Sequence, residues 1–149
     1  MENASGILRE FSLNITVGPD DIDELQHVSN LVYLRWIQDV AIAHSEAVGL
    51  PFSTYYAGGA VFVVRRHIID YLRPALRGDT LTVRTWISSA SAATCERETE
   101  IKHADGQVIA HGVTTWSYVD VKTGRPKRIG DDIRARFGDA PHKAYRSRV

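Results

Sequence analysis

Asp21-Ile22-Asp23-Glu24-Leu25-Gln26-His27-Val28-Ser29-Asn30 runs straight into Leu31-Val32-Tyr33-Leu34-Arg35-Trp36, and the reading of this stretch decides the fold. Acids, a histidine and an amide stand directly before a long apolar run, which sets polar chemistry at the mouth of something buried. Asn30 has the side chain of a helix N-cap, an oxygen able to accept from the first free amides. Beyond it no glycine or proline interrupts the chain until Gly49-Leu50-Pro51, a stop signal, so the spacing predicts a helix of about five turns. Tyr33, Trp36, Ile37, Val40, Ala41, His44 and Val48 spread apolar surface over most of its circumference, more than a surface helix carries. Such a helix needs wrapping by other elements.

The flanks supply a sheet. Phe11, Leu13, Ile15 and Val17 alternate along residues 8–17, the period-2 mark of a strand with one buried face, ended by Gly18-Pro19. After Ala60 the composition turns β-branched and aromatic, with turn residues at hairpin spacing, and strands are predicted over 61–72, 79–88, 93–104 and 107–120. Arg77-Gly78-Asp79 separates the first pair and Ser88-Ser89-Ala90-Ser91 the middle pair. Asp105-Gly106 joins the last two through a turn that needs positive φ. Thr123-Gly124-Arg125-Pro126 closes the sheet, and a short helix is predicted over 129–137. One strand, one helix and four consecutive antiparallel strands make an α+β layout with five strands around a long helix. Its open edge strand and incompletely wrapped helix call for a homo-oligomer.

The 149 residues fit one domain, 1–149, with a core over 8–138 and a polar tail over 139–149. The 18 Lys and Arg cancel the 18 Asp and Glu, leaving no overall field to attract nucleic acid or an anionic membrane. Nine of those cations nevertheless follow Val121. The lone Cys95 precludes an internal disulfide, the first residues lack the basic start and apolar core of a signal peptide, and no apolar run reaches the roughly 20 residues that cross a bilayer. A cytoplasmic chain with neither nucleic-acid nor membrane partners is the expectation. The six histidines make no metal-ligand spacing, so no metal and no cofactor are expected.

Several separated motifs in one order resemble the hotdog-fold thioesterases of the 4-hydroxybenzoyl-CoA thioesterase family. The family pattern D-x-D-x-x-G-H-V-N-N-x-x-Y-L-x-W is similar to Asp21, Asp23, Gln26, His27, Val28, Ser29, Asn30, Tyr33, Leu34 and Trp36. Tyr71-Leu72-Arg73-Pro74-Ala75, Arg77-Gly78-Asp79-Thr80-Leu81 and Thr123-Gly124-Arg125-Pro126-Lys127-Arg128-Ile129 follow in register, so the likeness spans about residues 8–138. It implies a hotdog fold and hydrolysis of an acyl- or aryl-CoA thioester to the free acid and CoA. Either CoA or acyl carrier protein is the carrier it implies. Two departures stand out: Gln26 replaces a glycine, and Ser29 replaces the first asparagine of the pair.

The resemblance implies a catalytic carboxylate at Asp23, and thioester cleavage does need a nucleophile or a base that activates water. Taken by itself, Asp23 reads equally as a loop acid ahead of a helix. The resemblance also implies a main-chain amide near Ala60, Val61 and Phe62 to stabilise the charge that develops on the thioester oxygen. His27 reads as a loop support or substrate contact, Asn30 as a cap or water-orienting amide, and Tyr33 as a core aromatic or part of the acyl pocket. For CoA, the expected contacts are Ser91 and Thr94 in a strand turn and the cations Arg125, Lys127 and Arg128 beside a rigid one. Cys95 reads as an inert strand cysteine, and His44-Ser45 as no triad, because adjacent helix residues face apart. The alternatives carried with the hydrolase are a hotdog hydratase or dehydratase using Asp23 and His27, and an acyl-CoA-binding hotdog protein without turnover.

Overall fold

A computed structural model describes residues 6–138; the polar tail expected over 139–149 lies outside the described residues. Five antiparallel strands form one sheet: β1 (Glu10–Thr16), β2 (Ala60–Tyr71), β3 (Thr80–Ala90), β4 (Thr94–His103) and β5 (Val108–Asp120), in the spatial order β1-β3-β4-β5-β2. The alternation read in the sequence sets the faces. Phe11, Leu13 and Ile15 of β1 pack inward while Ser12, Asn14 and Thr16 face solvent. The turn between β4 and β5 forms as its residues require, with Gly106 at φ +92° and Asp105 Oδ1 accepting from the Gln107 amide at 2.8 Å.

Helix α1 (Asn30–Ala47) lies on one face of the sheet against β1 and β3. Its buried side carries Val32, Tyr33, Trp36, Ile37, Val40, Ala41 and His44, and its opposite side leaves Leu31 and Ile42 exposed. The helix crosses the sheet closely above Gly112, where a Cβ would stand 2.9 Å from Ile37 Cδ1. It ends at Gly49, φ +82°, as the stop signal predicts.

Three expectations need correction. The N-cap is Ser29, whose hydroxyl accepts from the Leu31 amide at 3.2 Å; Asn30 is the first helical residue and its side chain caps nothing. The turn between β3 and β4 is Ser91-Ala92-Ala93, because a bulge between Ile87 and Ser89 lets Ala90 still pair with Cys95. A second short helix, α2 (Phe52–Ala57), fills the stretch before β2 that the sequence reading left without structure. The predicted terminal helix forms as α3 (Asp131–Arg136).

Candidate active site

The loop before α1 is held by its backbone. Ser29 N donates to Asp21 O at 2.9 Å and Val28 N to Ala75 O at 2.9 Å, which ties the loop to the β2–β3 connection. Asp21 is a structural acid: Oδ2 accepts from the Gly18 amide at 2.9 Å and Oδ1 pairs with Arg35 at 2.9 Å. Asp23 starts a tight turn in which its amide donates to His27 O at 2.9 Å and its carbonyl accepts from Gln26 N at 3.0 Å. Its Oδ1 accepts from the Leu25 amide at 2.9 Å, and the residue is exposed to solvent. Gln26 adopts φ +63°, the one non-glycine residue in the left-handed region among those described. The backbone therefore keeps the conformation a glycine would favour, with a side chain added.

Tyr33, one turn into α1, is buried and stacks edge-on against Trp36 at 5.6 Å and Tyr71 at 5.4 Å. Burial raises its phenol pKa. The Tyr71 hydroxyl donates to Asn30 O at 3.4 Å, so the far end of β2 is fastened to the start of α1.

The other expected contacts gather at the opposite end of the sheet. Phe62 packs against Tyr118 at 4.7 Å and edge-on against Tyr55 at 5.4 Å, and Val61 joins the same apolar cluster. Ser91 and Thr94 bond to each other through their hydroxyls, and Ile129 N donates to Ala92 O at 2.8 Å. Arg125, Lys127 and Arg128, all exposed, thus run beside the Ser91–Thr94 turn, so the two halves of the expected CoA contact are neighbours. Within one chain, though, Phe62 and Tyr71 are nine residues apart along β2, about 30 Å. The single chain does not bring Asp23, His27 and Tyr33 together with Val61 and Phe62.

Beside Phe62 lies a cavity of about 140 Å³ between α1, α2, α3 and the sheet. Ile42 and Phe52, 53% and 66% exposed, mark where it opens. Its walls include Tyr55, Cys95, Arg97, Trp116 and Arg134. Sequence reading missed it, since its lining comes from seven elements with no common motif. Arg97 is the unexpected member: a buried cation whose Nη1 reaches His44 Nδ1 at 2.9 Å and Thr85 Oγ1 at 3.1 Å. His44 Nε2 lies 2.7 Å from Leu8 O and so carries the proton, which leaves Nδ1 to accept from Arg97. Burial, aided by repulsion from Arg97, pushes the His44 pKa down to about 4. Burial lowers Arg97 to about 10, still cationic at neutral pH, and raises the Cys95 thiol to about 11, which leaves it protonated and inert as expected.

An antiparallel five-stranded sheet carrying a helix on one face, with a polar loop at the helix start and an apolar cavity near its end, defines an α+β domain of the hotdog class. The model of the thioesterase-like superfamily matches residues 17–137, and the chain belongs to that superfamily. It is 26% identical over 120 residues to the long-chain acyl-CoA thioesterase FadM of Escherichia coli, covering 78% of this chain and 88% of that one. An uncharacterised protein of Mycobacterium tuberculosis is 29% identical over 119 residues, 79% of this chain; the chain spans 45% of that relative's length. Among solved structures, a 1,4-dihydroxy-2-naphthoyl-CoA thioesterase from Synechocystis superposes with a TM-score of 0.80 at 20% identity, over 87% of this chain and 96% of that one. That likeness establishes the fold.

Proposed function

We propose that this protein is a homodimeric thioesterase of the 4-hydroxybenzoyl-CoA type, cleaving an acyl thioester of CoA or acyl carrier protein with Asp23 as nucleophile or general base. The observation that carries it is the open edge of β2. Strand β2 is twelve residues long, bonds only to β5 among the described residues, and is fastened at its Tyr71 end to the start of α1. A two-fold axis at that edge pairs β2 with its copy in antiparallel fashion. Ala60, Val61 and Phe62 of one protomer then lie opposite the Tyr71 end of the other, which brings Asp23 of the partner subunit to the cavity and to the turn at Ser91–Thr94. The residues kept apart in one chain become one site, and two such sites form per dimer.

Exposed apolar side chains support the same assembly. Phe52 and Tyr56 of α2, which packs against β2, Tyr71 at the end of β2 and Leu72 beyond it are 44–66% exposed.

The chemistry follows from the residue types. Asp23, as base, takes a proton from water while the water oxygen bonds to the thioester carbonyl carbon; the C–S bond then breaks, and the thiolate leaves to take up that proton. As nucleophile, Asp23 attacks the carbonyl carbon and the C–S bond breaks, leaving an acyl anhydride on Asp23 and the thiolate of the carrier; water then attacks the anhydride, releasing the acid and restoring the Asp23 carboxylate, and a proton of that water goes to the thiolate. A backbone amide at the start of β2 stabilises the oxyanion in either route. His27 and Asn30 flank Asp23, and Arg125, Lys127 and Arg128 face the phosphates of CoA. FadM, the acyl-CoA relative at 26% identity, supports this reading.

The test is thiol release from a panel of aliphatic and aromatic acyl-CoAs by wild type and Asp23→Asn. The variant is expected to lose about 10²–10⁴-fold in kcat. Equal rates on the best substrate would remove Asp23 from the mechanism, and hydration of an enoyl-CoA without thiol release would favour a hydratase.

A further inference from the structure

The cavity beside Phe62 is apolar over most of its wall, yet it holds two guanidinium groups without a carboxylate. Arg97 is 4% exposed; among the described residues its hydrogen bonds run through Nη1, to His44 and Thr85, and its guanidinium lies over the Phe137 ring at 5.7 Å. Arg134 is 5% exposed; Nε donates to Ile129 O, Nη2 to Ser91 O, and Nη1 is buried with no hydrogen-bond partner among the described residues. Neither cation forms a salt bridge among the described residues, where every carboxylate pairing falls elsewhere. Trp116 Nε1 is a third buried donor left over, and Tyr55 Oη is buried beside Ser45 without a bond of normal geometry.

Buried cations are stable only when something offsets their lost hydration, and buried donors are nearly always satisfied. His44 and Thr85 are neutral acceptors and give Arg97 no countercharge. Leftover donors on one small cavity, one of them on the Arg134 guanidinium and all beside the second buried cation Arg97, call for an anion with acceptor oxygens. Apolar surface elsewhere on the same wall, from Ile87, Phe62 and Phe137, calls for hydrocarbon in the same ligand. At about 140 Å³ the cavity matches the roughly 150 Å³ that accommodates a benzene ring, so the whole acyl group it takes, carboxylate included, is on the order of six carbons.

We propose that the cavity selects a short acyl group whose far end carries a carboxylate, held by Arg97 and Arg134, with the thioester end at the mouth near Ile42 and Phe52. This deepens the thioesterase reading and rests on it: the substrate is the mono-CoA thioester of a dicarboxylic acid of about six carbons. Arg97 supplies the charge-bearing contact, and His44 and Thr85 position its guanidinium.

The experiment compares kcat/KM for adipoyl-CoA and hexanoyl-CoA, which share chain length and differ only in the distal carboxylate. A charged hydrogen bond in a buried site is expected to favour adipoyl-CoA by about tenfold or more in wild type. Arg97→Met should bring that ratio to unity or invert it, while Arg97→Lys should retain part of it. Hydrolysis of both thioesters by wild type at equal efficiency, or a preference for hexanoyl-CoA, overturns the inference and leaves the thioesterase standing. No thiol release from either or from any other acyl-CoA removes the activity and this inference with it. The wild-type ratio decides even if the Arg97 variants fail to fold.

Discussion

At the level of single residues, the loop before α1 keeps its conformation against the preference of its own side chain. Gln26 sits at φ +63°, which costs an L-residue about 1–2 kcal/mol. Gln26→Gly removes that strain but frees the unfolded chain by about 0.4–1 kcal/mol, so the variant should match or exceed wild type in urea midpoint. A clear fall in midpoint would mean that Gln26 makes a stabilising contact that outweighs its backbone. The departure from glycine was visible in the sequence; its backbone consequence was not, because φ is set by the Asp23–His27 bonds that close the turn. His44 offers a second check. In the unfolded chain its imidazole titrates near 6.5, whereas the folded protein holds it down to about 4. The unfolded state therefore takes up a proton that the native state refuses, and this contribution is complete above about pH 6.5 and lost as pH falls toward 4. At its limit the loss is on the order of 3 kcal/mol. Urea melts at pH 7.5 and 5 should show a weaker pH dependence in His44→Gln than in wild type; equal slopes would mean that another group governs acid sensitivity. That His44 would meet Arg97, 53 residues away, had no trace in local spacing.

Among the elements, the strands were legible and the helix start was misread by one residue. Alternation in β1 and the β-branched runs between Gly-containing turns depend on near neighbours alone, so the sequence carries them. The bulges between Val64 and Arg66 and between Ile87 and Ser89 depend on the partner strand and left no local mark. Helix α2 is short and ends in Gly58-Gly59, which reads as loop. Ser29 and Asn30 are both good caps, and the bond from the Leu31 amide to Ser29 Oγ decides between them. Ser29→Ala should therefore cost about 1 kcal/mol, while Asn30→Ala should cost much less. Thermal or urea denaturation of the two variants measures this, and the reverse order would return the cap to Asn30. For the candidate site, the expected CoA contacts at Ser91–Thr94 and Arg125–Arg128 do lie together, joined through Ile129 and Ala92. The cavity was invisible because its wall is assembled from α1, α2, α3 and four strands.

For the whole molecule, the central claim is that one chain holds half a site. Asp23 stands near the Tyr71 end of β2, and the cavity near the Ala60 end. The proposed pairing across the β2 edge would join them, at the expense of bringing Arg65 and Arg66 of both protomers close to the axis. Those like charges are screened by salt, so sedimentation should show a dimer that tightens as ionic strength rises from 0.01 to about 0.15 M. The most direct measurement mixes two inactive proteins. Asp23→Asn keeps the cavity and loses the acid; Ala90→Phe fills the cavity and keeps the acid. After subunit exchange, half of the dimers are hybrids, and each hybrid holds one site with the Ala90 chain's cavity and the partner's Asp23, giving about a quarter of wild-type thiol release. Each variant alone should release almost none. A mixture as inactive as its components, with hybrid dimers demonstrated by mass, would place Asp23 and the cavity in service of the same chain and contradict the shared site.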